Sequence, residues 1–341
     1  MTYSEIIQDN CNRYSPVPWW PNFAFHYTDV MNAVSILRDG KLYSRQDATR
    51  MELMTNDNAS RQVIDMTRSG ATSSVRFYYR PLTPTQYHNE GYKHPGLRYC
   101  HDTNANVPVP VFFLFNLEKL LSLPETMFSE ESLAGGGGIL LKGVENFAAL
   151  DFAQIYKRGP MEDVSLEKKR RHAEIIYPGE FSIDEMLECI ICRNEIERLT
   201  LLNLLRKTSG RLFSRYKSYI TVDNSCFENN GLYIDDCRYY NEQIVVVFSS
   251  TYNKKRYTER YKDECTDQLV VQAYADFEWM DRQNVIEHKE CSFIIDYENP
   301  RTIAFTNLTK PAGASALYMH IYFESRLVCY VCWHTVDSAM L

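Results

Sequence analysis

Apolar positions in the first two thirds of the chain come in short blocks of two kinds. In FAFHYTDVMNAVSILRDGKLYS, from Phe23 to Ser44, an aromatic strand-like run gives way to Val30, Val34 and Leu37 at helical spacing. Thr28 or Asp29 can cap the start of that helix and Gly40 can end it, with a short strand from Leu42. VRFYYRP predicts a strand stopped by Pro81 and Pro84, and VPVFFLFNL predicts a buried strand. ENFAALDFAQIYK has the pattern of an amphipathic helix. SLEKKRRH reads as a solvated helix leading into the strand AEIIYP. EMLECIIC reads as a strand and EIERLTLLNLLRK as a helix. Residues 44 to 75 are polar and weakly patterned, a length that is uncommon unless it has a function.

The texture changes near Ser209. Runs such as YITV, GLYIDD, EQIVVVFSS, QLVVQAYADFEW, CSFIIDY, TIAFTNL and ALYMHIYFESRLVCYVCW follow, rich in β-branched and aromatic residues and bounded by Asn, Asp, Pro and Gly. The pattern predicts an α+β chain. A polar and proline-rich surface arm (1–22) precedes a mixed domain (23–208), and a β-rich C-terminal domain or extension covers 209–341. No internal repeat is visible.

Composition narrows the function classes. The chain has 341 residues, with 24 Tyr and 17 Phe, enough for a sizeable core. A net charge of -7 argues against an overall electrostatic nucleic-acid binder and leaves room for a local basic groove. No apolar run approaches the roughly 18 residues that span a bilayer, so no membrane partner is expected. The N-terminus lacks the cationic start and apolar core of a secretion signal, which predicts a cytoplasmic protein with reduced thiols. Cys189/Cys192 and Cys329/Cys332 form two CxxC pairs, a zinc-like count. Each pair sits inside a strand-like run, where positions three apart face opposite sides, so buried reduced cysteines are the expectation.

Chemistry enters at KKRRHAEIIYPGEF. Glu174 shares one face of its strand with Ile176, and a carboxylate on a partly buried sheet face is costly unless something uses or pairs it. Pairing with Arg170, Arg171 or a neighbour is the structural alternative. His26 stands between an aromatic strand and a helix start, a junction that often faces ligands. Arg45, Arg50, Arg61 and Arg68 lie in the polar segment, each taken alone as solvated.

The order FHYTDVMNAVSILRDGKLYS, ASRQVIDMTR, VRFYYRPLTPTQY and RRHAEIIYP resembles the DarT family of nucleic-acid ADP-ribosyltransferases over roughly residues 23 to 200. The resemblance implies an ADP-ribosyltransferase fold, a split β core with helices and a cleft for NAD. It implies that His26 and Thr28 hold NAD, that Tyr78 lines the nicotinamide pocket, and that Glu174 is the catalytic glutamate. Arg61 is the match to the arginine that contacts NAD and the transition state, with Arg68 as the alternative. The family's usual target is single-stranded DNA, with RNA open here because GGGG at Gly135 to Gly138 replaces a more structured loop. Such proteins commonly act as toxins in toxin–antitoxin or phage-defence systems, which implies a neutralising protein partner with the C-terminal region as a candidate docking surface.

The chemistry accounts for these residue types. As nicotinamide leaves, positive charge develops on the ribose, and a carboxylate bonded to the 2-hydroxyl stabilises it, as in glycoside cleavage. The same group can take a proton from an attacking base nitrogen. An arginine balances the diphosphate, and no metal is required. In this setting Lys168, Lys169, Arg170 and Arg171 are candidate phosphate contacts, and Tyr78, Tyr79, Tyr87 and Tyr92 candidate stacking partners. The rival readings are a catalytically silent binding module on the same fold and a two-CxxC zinc protein.

Overall fold

The structure, a computed structural model, describes residues 1–14, 17–53, 72–99, 102, 106–134, 138–159, 163–263, 268–282 and 284–334. The chain divides into two compact units. Unit 1 is Met1–Asn89, Val111–Ile191 and Tyr219–Thr221; unit 2 is Glu90–Pro110, Cys192–Ser218 and Val222–Leu341. The division expected after residue 208 falls inside the second segment of unit 2. The helix over Glu195–Thr208 belongs there with the strands that follow it.

Unit 1 is built on a seven-stranded sheet. Its strands are β1 (Phe23–Asp29), β3 (Ser74–Tyr78), β4 (Pro110–Asn116), β5 (Met127–Phe128), β6 (Glu174–Pro178), β8 (Leu187–Cys192) and β9 (Ile220–Val222), in the spatial order β5-β6-β3-β1-β4-β8-β9. β2 (Lys41–Leu42) pairs with β7 (Phe181–Ser182) in a separate ribbon. β3 is antiparallel to both β1 and β6. The sheet core is aromatic: Phe25, Phe77, Phe112, Phe113 and Phe115 are buried, and their rings meet edge-on or stacked.

Among the described residues, the α-helices of unit 1 are α1 (Tyr3–Arg13), α2 (Val30–Asp39), α3 (Arg45–Arg50), α4 (Pro84–Asn89), α5 (Leu117–Leu121), α6 (Val144–Ala148), α7 (Phe152–Ile155) and α8 (Val164–Arg170). α2 follows the sequence expectation closely. Asp29 accepts the Met31 N–H as its N-cap, and Gly40 closes it at φ +67°, a left-handed conformation that favours glycine. Two elements differ from expectation. The arm begins as α1, closed by a Thr2/Glu5 capping box and burying Ile6 and Ile7, a face too narrow to stand out in a polar stretch. The helix expected over 145–157 is two helices, because Asp151 caps α7 by accepting the Gln154 N–H.

Unit 2 holds a three-stranded sheet, β10 (Ile234–Tyr240), β11 (Gln243–Phe248) and β14 (Ile303–Phe305), in that order. It also holds a four-stranded sheet of β12 (Val270–Asp281), β13 (Asn284–Asp296), β15 (Ala316–Phe323) and β16 (Arg326–His334), ordered β13-β12-β15-β16. Its helices are α9 (Glu195–Thr208), α10 (Gly210–Tyr216) and α11 (Tyr252–Tyr261). α9 covers the edge strand β16: Thr200 Oγ1 accepts the Tyr330 N–H at 3.0 Å, and Asn203 donates to the Tyr330 carbonyl at 3.0 Å. Two side chains thus satisfy backbone groups that an open edge would expose.

Candidate active site

Glu174 opens β6, an interior strand between β5 and β3. The register sets Glu174 opposite Tyr78 and Ile176 opposite Arg76, so Arg76, Tyr78 and Glu174 share one sheet face. The carboxylate is 1% exposed and accepts three N–H bonds. Arg76 Nε donates to Oε2 at 2.5 Å and Arg76 Nη2 to Oε1 at 2.6 Å, a bidentate pair. The Leu133 N–H adds a third bond to Oε1 at 3.2 Å. Burial opposes the charge on Arg76, but the Glu174 carboxylate and Tyr78 outweigh it, so the guanidinium is held above its ordinary range. The Arg76 side chain stays 26% exposed.

Arg76 opens onto a cleft of about 1170 Å³, its mouth included, which His26, Thr28 and Tyr78 also line. His26 bonds the Arg76 carbonyl through Nδ1 at 3.0 Å. A carbonyl only accepts, so Nδ1 carries the proton and Nε2 is the acceptor. Burial lowers the His26 pKa, which favours the neutral ring. Burial likewise pushes the Tyr78 phenol up to about 12, so it is a hydrogen-bond donor rather than a charge. Arg45 and Lys41 also line the cleft, with Lys41 donating to Glu180 Oε1 at 2.6 Å and Asp39 beside them.

The structure thus gathers Glu174, His26, Thr28 and Tyr78 in one neighbourhood. Arg61 and Arg68 lie outside the described residues. The basic run divides: Lys168 and Lys169 are exposed, while Arg170 pairs with Glu130 and Arg171 bonds Glu167 and the Gly159 carbonyl. Neither arginine meets Glu174; it pairs with a neighbour on the adjacent strand, Arg76, as the structural alternative allowed. Tyr79 and Tyr92 are fully buried and cannot stack on a base, which corrects that expectation; Tyr79 packs among Phe147 and Phe152. The two CxxC pairs are free thiols, and among the described residues no group of three or more His, Cys, Asp or Glu could hold a metal.

Two contributors escaped the sequence reading. Arg76 lies two residues before Tyr78, and strand alternation alone puts both on one face, but its partner is 98 residues away. His172, two residues before Glu174, ties β6 to α4. Its Nδ1 donates to the Lys168 carbonyl at 3.0 Å. Its Nε2 accepts the Thr85 N–H at 3.1 Å and the Thr85 hydroxyl at 2.9 Å. Burial pushes this imidazole down to about 4, so it stays neutral and keeps both accepting bonds. Thr85 itself lines the cleft.

A family model described as "ssDNA thymidine ADP-ribosyltransferase, DarT" matches residues 25–217, more than half of the chain. The chain belongs to the DarT family. It is therefore an ADP-ribosyltransferase by family, of mixed α+β fold. Among solved structures it is similar to Thermus sp. 2.9 DarT in complex with ADP-ribosylated ssDNA, at 14% identity and a TM-score of 0.47, covering 61% of this chain and 96% of that one. The same protein in complex with NAD+ matches at 15% identity and a TM-score of 0.44, covering 61% and 98%. Thermosipho africanus DarTG in complex with ADP-ribose matches at 13% identity and a TM-score of 0.46, covering 61% and 51%. No curated protein matches the chain. The DarT match ends at residue 217, so β10 to β16 lie beyond it. No helix among the described residues is long and apolar enough to cross a membrane.

Proposed function

We propose that this DarT-family chain transfers ADP-ribose from NAD to a base of single-stranded nucleic acid, with DNA the favoured polymer, and releases nicotinamide. The observation that carries the reading is the buried Glu174 carboxylate, held by three N–H donors beside a cleft lined by His26, Thr28, Arg76 and Tyr78. In the transfer, the bond from nicotinamide to the ribose C1 breaks with its electron pair leaving on nicotinamide. A base atom forms the new bond to C1, and the proton it loses goes to Glu174 and then to water. Glu174 accepts from the ribose 2-hydroxyl as positive charge grows on the sugar. Arg76 fixes the carboxylate in place, so little reorganisation is needed at the transition state.

His26 Nε2 and Thr28 hold the nucleoside part of NAD, and Tyr78 faces nicotinamide. Lys41 and Arg45 supply charge for the diphosphate, and Arg61 retains its sequence-based role there. Lys168 and Lys169 contact target phosphates. In the cell the activity is that of a cytoplasmic toxin with a role in phage defence, held in check by a neutralising protein. Labelled NAD incubated with DNA and RNA oligonucleotides tests the reading, with mass spectrometry locating the adduct. Label on DNA supports it, label on RNA alone replaces the polymer, and label on protein or on nothing ends it.

A further inference from the structure

Between Glu197 and Asp223 the chain carries no acidic residue and six cations: Arg198, Arg206, Lys207, Arg211, Arg215 and Lys217. Without them a net charge of -7 would be -13. Arg198 pairs with Glu195. The other five are exposed, on the last turn of α9, on α10 and just after it, all within unit 2. All but Arg211 lie against an aromatic ring, Arg215 against Tyr216. The Arg206 guanidinium lies 4.3 Å over the Phe213 ring and the Lys217 ammonium 5.8 Å from it. Lys207 sits 5.6 Å over Tyr330 of β16.

Helix energetics account for only part of this. Arg206 and Lys207 suit the negative end of α9, and Arg215 the negative end of α10. Arg211 stands in the first turn of α10, where the helix dipole disfavours a cation, and no acid nearby in sequence offsets it. Five like charges within twelve residues repel one another in the free protein. A polyanion laid along them relieves that repulsion. Guanidinium and ammonium groups laid on aromatic rings present a charged, flat surface at low entropic cost, the combination that tracks a flexible phosphate backbone.

We infer that the α9–α10 corner of unit 2 is a binding surface for the phosphate backbone of single-stranded nucleic acid, outside the catalytic cleft of unit 1. The identity of the polymer rests on the transfer reading above; the surface itself rests on the charge and aromatic placement. It binds without sequence preference and raises the residence of long strands. The acids of the four-stranded sheet mark its limit: Asp276 and Glu278 stand on β12, with β15 between them and β16.

The full chain carrying Lys207→Gln, Arg211→Gln and Lys217→Gln together tests this, with Lys207→Arg plus Lys217→Arg as the charge-preserving control. Anisotropy of a labelled strand of about 30 nucleotides, measured across salt concentrations, is the readout. Leaving three phosphates of a single strand without their cations lowers the log–log salt slope by about 2 and the affinity roughly 100-fold near 0.1 M salt. The control keeps both, and unfolding curves verify that all proteins fold. An unchanged slope and affinity in the triple variant overturns the surface. So does wild-type protein that binds anionic phosphatidylserine vesicles but not the strand. Label transfer by the same proteins separates the two readings. Wild type that binds the strand through this corner but transfers nothing to nucleic acid overturns the transfer reading alone.

Discussion

Each unit buries an arginine–glutamate pairing, and the two differ in what surrounds them. In unit 2, Arg193 is wholly buried between Glu90 and Glu197, its guanidinium 3.7 Å over the Tyr233 ring. Glu90 accepts the backbone N–H groups of Glu228 and Asn229. Burial pushes Glu197 up to about 7 even with Arg193 against it. In unit 1, Arg76 keeps a quarter of its side chain exposed and lines a cleft. The same ion pair is closed off on every side in one setting and borders a cleft through its arginine in the other. What separates them is an opening on the cationic side, a difference that counting ion pairs would miss.

Conservative changes to the two pairings give the largest contrast. Glu174→Gln is expected to lower transfer from NAD by about 10²–10³-fold, with a cooperative unfolding transition retained. Arg193→Met is expected to do the reverse. Removing the cation between two buried carboxyl groups costs about 3–5 kcal/mol of stability, while transfer per folded molecule is unchanged. Initial rates and urea unfolding on both variants check this. Strong catalytic loss in the unit 2 variant, or a merely unfolded unit 1 variant, breaks the distinction.

How much of this was legible beforehand follows from the kind of information each feature needs. Glu174 stands out locally because a carboxylate interrupts an apolar strand, whereas the site roles of His26, Thr28 and Tyr78 come only through the resemblance to the DarT family. Arg76 needs the register between β3 and β6, which no local pattern encodes. The strands after Ser209 were legible as strands, but their division into two sheets depends on pairings such as β11 with the distant β14. The membership of Glu195–Thr208 in unit 2 depends on where its buried face packs, and a helical period alone does not say.

The next contrast is in pH. The folded pKa of His172 is about 4 against an ordinary 6.5, so the unfolded chain takes up a proton that the folded one refuses. Its contribution to stability is complete above pH 6.5 and is lost as the pH falls toward 4, by at most about 3 kcal/mol. His172→Gln is expected to flatten this part of the stability–pH curve, as measured by urea unfolding at about pH 7, 6 and 5. A slope identical to that of the unaltered protein would show that His172 is not the responsible group. A smaller effect is expected from Arg76→Lys. An ammonium cannot make the two-point contact, so kcat falls about tenfold. KM for NAD stays near its original value if Arg76 acts through Glu174.

The smallest effect probes the loop that completes the carboxylate's hydrogen bonds. A Cβ at Gly138 would lie 2.8 Å from the Ser132 carbonyl oxygen and 2.9 Å from Leu133 Cδ2. The Ser132 carbonyl and the Leu133 N–H belong to one planar peptide group. Pushing the oxygen aside tilts the N–H that donates to Glu174. Gly138→Ala is therefore expected to lower transfer a few-fold, in keeping with one weakened hydrogen bond of about 1 kcal/mol. Gly210→Ala, in unit 2, meets nothing within 4 Å and stands at the start of α10, so it is expected to leave transfer unchanged and stability equal or slightly higher. If both glycine variants transfer equally well, the third donor has no influence on the reaction. The two-point contact from Arg76 would then be the whole of what orients Glu174.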